Sequence, residues 1–76
     1  MNLEVIEEWM ESEIFSEVCT KAESGVYQFA RFVNKFMSEL QILIFHLKNQ
    51  SHRGRIQLQI SKLEFLVESE ILELLN

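Results

Sequence analysis

The feature that most constrains this chain is an apolar run through its middle. Val26, Phe29, Val33, Phe36, Leu40, Leu43 and Leu47 follow one another in alternating steps of three and four residues. That spacing keeps every member on one side of a 3.6-residue helix and does not fit the two-residue period of a strand. It predicts a helix over 25–49. Phe32, Met37 and Ile44 widen the apolar side beyond a two-stranded seam, which suits a helix at the centre of a bundle.

Composition extends the helical reading to the whole chain. There is no proline, and all 12 acidic residues are Glu. Proline breaks helices and Asp draws the backbone into caps and turns, whereas Glu loses little in a helix. The expected fold class is therefore all-α. A chain of 76 residues buries only about 60% of its unfolded surface. A single helical domain over 1–76 is expected, with dimerisation completing its core.

Two breaks divide the pattern. Residues 49–54 contain no apolar side chain and end in Gly54, which reads as a helix-to-helix turn. Gly25 follows Glu23 and Ser24 where a left-handed residue commonly ends a helix. The expected architecture is a small bundle of three helices over 2–23, 25–49 and 54–75. In the first, Ile6, Met10, Ile14, Val18 and Ala22 recur every four residues, with Asn2 as N-cap and Glu4 in the first turn. An alternative stays open, because the central register also extends back through Ala22, Cys19 and Phe15. One helix over about 12–49 would then give a short N-terminal helix plus a long helical hairpin, since an internal Gly costs only about 1 kcal/mol.

The last segment carries two apolar rows. Ile56, Ile60, Leu63, Val67, Ile71 and Leu74 form the expected core face. Leu58, Phe65 and Leu72 form a second line at seven-residue spacing, flanked by Ser61, Lys62, Glu68, Ser69 and Glu73. Tyr27 and Phe45 also fall outside the central seam. An apolar ridge in a polar surround invites association, so Leu58, Phe65, Leu72, Tyr27 and Phe45 are the expected self-association residues of an antiparallel homodimer.

Charge suggests two further surfaces. The chain carries a net −5, and its first 24 residues hold seven Glu against Lys21. Glu7, Glu8 and Glu11 around Trp9 make an expected partner-binding face for a basic amphipathic protein, Trp being enriched among interface anchors. Packing of Trp9 into the core is the competing use. Lys48, Arg53 and Arg55 cluster in the segment 48–55 and offer a phosphate contact. This is the basis of an alternative reading as a nucleic-acid-associated regulator. An acidic chain with three clustered cations opposes that reading, so nucleic acid is not an expected partner.

No catalytic, cofactor-binding or metal-ligating set stands out. Cys19 lies on the seam, where a small buried residue is the ordinary use. His46 and His52 are six residues apart, a spacing that fits neither one helical face nor a zinc pattern. The two glycines are 29 residues apart, which leaves no Gly-rich phosphate loop. The expectation is a non-enzymatic protein–protein interaction module, an adaptor, inhibitor or regulatory subunit that needs no cofactor. A lone cysteine, an acidic start unlike a signal peptide and a longest apolar run of four residues, Ile42 to Phe45, lead to an expected cytoplasmic location without membrane contact.

Overall fold

A computed structural model of the chain describes residues 3–75. The fold is all-α. Among the described residues there is no strand, and four helices follow in order: α1 (Leu3–Met10), α2 (Glu13–Glu23), α3 (Tyr27–Lys48) and α4 (Arg53–Leu75). The proposed cap at Asn2 lies outside the described residues.

The expected helix over 2–23 is two helices, and Ser12 is the reason. Its backbone is extended (φ −73°, ψ 156°) and its side-chain oxygen accepts the Phe15 N–H, capping α2. The same hydroxyl donates to the Trp9 carbonyl, closing the last turn of α1. Serine competes for backbone groups in this way and is favoured at caps over helix interiors. The row through Ile6, Met10, Ile14, Val18 and Ala22 is therefore interrupted. Ile6 and Val18 are buried, but Ile14 is 46% exposed.

Gly25 decides against a continuous helix over 12–49. It has a φ of +86°, where an L side chain is disfavoured. Its N–H donates to the Ala22 carbonyl at 3.1 Å, and the Val26 N–H donates to Lys21 at 3.2 Å, the paired bonds of a Schellman ending. The end of α3 repeats this arrangement without a glycine. Gln50 has a φ of 50°, its N–H donates to Leu47, and the Ser51 N–H donates to His46 at 2.9 Å.

α2 folds back along α3, and α3 and α4 form the longer antiparallel hairpin; α1 packs on α2 and α4. The core gathers Ile6, Val18, Phe29, Phe32, Phe36 and Leu43 with Ile60, Leu63, Leu66 and Ile71. The expected core face of α4 needs rotation. Leu66 and Gln59 are buried, whereas Ile56, Val67 and Leu74 are only partly so. The seam of α3 also opens at its far end. α2 has 11 residues against 22 in α3, about 16 Å against 33 Å at 1.5 Å per residue. Met37, Ile44 and Leu47 accordingly remain exposed.

Candidate interaction surface

Register fixes what α4 shows to solvent. At about 100° per residue, Phe65 stands about 200° from buried Leu63, and Leu58 and Leu72 return to its azimuth after two turns. All three are on the outside: Leu58 is 58% exposed, Phe65 70% and Leu72 62%. The two central-helix residues grouped with them are exposed as well, Tyr27 at 75% and Phe45 at 60%. Because α3 and α4 are antiparallel, Tyr27 flanks the Leu72 end of the ridge and Phe45 the Leu58 end. Tyr27 shares a depression of ≈ 400 Å³ with Arg31, Glu70, Glu73 and Leu74. Phe45 sets its ring edge-on to His46, 5.7 Å between centroids.

Beside the ridge, α3 and α4 are fastened by polar contacts. Lys35 Nζ lies 2.8 Å from Glu70 Oε1, a half-exposed pair of the kind that contributes about 0–1 kcal/mol. Phe65, Leu66 and Lys62 line a shallow depression of ≈ 200 Å³ with Lys35, Glu39 and Glu70. It is too small and open to enclose a drug-sized ligand, whose pockets run to about 300–1,000 Å³.

The other sequence-selected residues separate. Glu7, Glu8 and Glu11 are exposed. Trp9 is turned inward, with its ring centroid 4.6 Å from Phe15, 4.9 Å from Phe36 and 6.1 Å from Phe32. Aromatic neighbours in such tilted and edge arrangements are favourable beyond their buried area. Trp9 thus serves the core while the carboxylates face water. Lys48, Arg53 and Arg55 are exposed. Among the described residues the ion pairs are Lys21 with Glu17 and Lys35 with Glu70, so these three cations are unpaired. The sequence accounts for this, because no carboxylate occurs between Glu39 and Glu64.

No family model matches the sequence, and no curated protein or solved structure matches it.

Cys19, His46 and His52 take part in the packing and turns of the fold. Burial, and then the charge of Glu23, pushes the Cys19 thiol above its ordinary 9.0, which disfavours the nucleophilic thiolate. His46 Nδ1 pairs with Ser51 Oγ at 3.0 Å, and His52 Nδ1 accepts the Gly54 N–H at 3.0 Å. Both rings thus support the turn between α3 and α4. Among the described residues, no three His, Cys, Asp or Glu side chains come together as a metal site, and no helix is long and apolar enough to cross a membrane.

Proposed function

We propose that the protein is a non-enzymatic helical interaction module that works as a homodimer in the cytoplasm, self-associating along the Leu58, Phe65 and Leu72 ridge of α4. One observation carries the reading: three large apolar side chains in line on one helix, each more than half exposed. Fully burying such a side chain contributes about 1.5–3 kcal/mol, and a domain this small gains from a shared core. Tyr27 and Phe45 would extend the contact at its two ends. The exposed Glu7, Glu8 and Glu11 remain available to a basic protein partner, consistent with an adaptor, inhibitor or regulatory subunit. There, charge acts mainly on association rate.

Light scattering at micromolar concentration should give twice the chain mass, and Phe65→Glu should return it to the monomer mass with its helical circular dichroism intact. A wild-type monomer across that range overturns the reading.

A second reading, a nucleic-acid-associated regulator, is favoured by the unpaired Lys48, Arg53 and Arg55. Its weakness is their number, because affinity for a phosphate backbone grows with the phosphates neutralised.

A further inference from the structure

We infer that two copies pair antiparallel along α4 about a two-fold axis at Phe65, with Arg55 of each copy facing Glu73 of the other. The inference rests on the self-association proposed above and adds its orientation, its register and the charges that select them.

It begins with the order of charges on α4. Arg53, Arg55 and Lys62 occupy the first part of the helix, and Glu64, Glu68, Glu70 and Glu73 the second. The first turn has no acidic residue and the last turn no basic one. A helix dipole favours the reverse, acids at the N-terminus and bases at the C-terminus. This charge order is therefore unfavourable within α4, and a surface of the opposite order would complement it. α3 answers the acidic half, through the Lys35–Glu70 contact and through Arg31, which shares a depression with Glu70 and Glu73, and it sets Glu39 in one depression with Lys62. It has no carboxylate beyond Glu39 to offer Arg53 and Arg55. At the other end the charged residue of α3 nearest in sequence is Lys48, another cation. The missing complement is a carboxylate-bearing surface that also covers an apolar ridge. The acidic half of a second α4 has both properties.

The ridge is self-complementary in that arrangement. Leu58 and Leu72 are each seven residues from Phe65, so a two-fold axis at Phe65 sets each copy's Leu58 against the other's Leu72. Arg55 lies ten residues before Phe65 and Glu73 eight after it, about 15 Å and 12 Å along the helix. By register they share one flank of the ridge, and in an antiparallel two-fold pair the same flanks meet. Both side chains are exposed. On that flank Lys62 falls opposite the second copy's Ser69, so no like charges are opposed there; on the other flank Glu64 and Glu68 of the two copies come together beside the axis. In parallel pairing opposite flanks meet, so Arg55 and Glu73 of the two copies would lie on opposite sides of the contact and would not face each other. Antiparallel pairing closes after two copies, the commonest arrangement of soluble homo-oligomers.

The test is a charge exchange between separately purified variants, read as dimer dissociation constants at low salt. Arg55→Glu sets a carboxylate against Glu73 at both ends of the dimer, and Glu73→Arg opposes two guanidinium groups at both ends. Each variant alone should dimerise about ten-fold more weakly than wild type, from two exposed pairs turned from attraction to repulsion. An equimolar mixture should recover wild-type affinity, because the mixed dimer joins like-charged ends only between partners of opposite sign. A mixture no tighter than either variant, or variants that dimerise like wild type, overturns the register. If wild type still dimerises and Phe65→Glu still separates it, the self-association reading survives that failure. A wild-type monomer overturns both.

Discussion

The buried side-chain amide of Gln59 donates to the Glu39 backbone carbonyl at 2.9 Å and to the Glu39 carboxylate. Both hydrogens of the amide are satisfied by one residue of the facing helix, at a position that is 4% exposed. An apolar contact would tolerate a slide of α4 along α3, whereas a double hydrogen bond holds one register. Lys35 and Glu70 hold the same register farther along. Replacing Gln59 by Ala removes the donors and opens space, at a cost of about 1–3 kcal/mol. The expected loss in thermal midpoint is about 4–8 °C per kcal/mol for a domain of this size, measurable by circular dichroism. A midpoint unchanged within about 1–2 °C would show that this contact contributes nothing to stability.

Gly25 and Gln50 occupy equivalent left-handed positions with unequal residues. Apart from Gly25 and its chain neighbours, no atom lies within 4 Å of where a Gly25 Cβ would sit, so the penalty of Gly25→Ala comes from backbone conformation alone, about 1–2 kcal/mol. Gln50 already bears that penalty at φ 50°. Gln50→Gly relieves it and raises unfolded-chain entropy, for a net gain of up to about 1 kcal/mol. Urea denaturation should therefore move in opposite directions for the two variants. A shared direction would refute the strain argument.

These same positions show how far the sequence speaks. The α3 periodicity and the turn after Lys48 were legible because they depend on local spacing and on a polar run ending in Gly54. Gly25 was legible as a possible left-handed helix ending, but the choice between a break and a continuous helix was not, since an internal glycine is tolerable when packing supports it. The break at Ser12 entered only through the alternative of a helix over about 12–49, because the four-residue row from Ile6 to Ala22 runs through Ser12 unbroken and periodicity cannot see a hydroxyl turning back to Trp9. The exposed ridge of α4 followed from register. The inward turn of Leu66 and Gln59 did not, because it depends on the direction from which α3 approaches.

Cys19 gives a chemical check on the local electrostatics of α2. With its thiol raised by burial and by Glu23, the thiolate fraction at pH 8 is below that of a free cysteine, so alkylation by iodoacetamide should be slower than in the unfolded chain. Glu23→Gln removes the second cause and should quicken the reaction, leaving the burial effect in place. The linkage has a definite sign. The folded thiol holds its proton to higher pH than the unfolded one, so this contribution to stability is intact below about 9 and declines as pH rises further. Equal rates for the folded and unfolded protein would show that Cys19 is not desolvated.

The basic turn supplies the last prediction. Lys48, Arg53 and Arg55 are the cations clustered there, and each phosphate neutralised on duplex DNA contributes a slope of about −0.9 to log affinity against log salt. Three contacts limit the slope to about −3, shallow beside proteins that make about six to ten phosphate contacts. The acidic remainder of a chain with net charge −5 opposes even that attraction. Electrophoretic mobility assays should show no complex with DNA or RNA at physiological ionic strength. Any complex seen at low salt should disappear when Arg53 and Arg55 are both changed to Glu. Tight binding near physiological salt, lost in that double variant, would make the turn a nucleic-acid contact and reverse the ranking of the two functional readings.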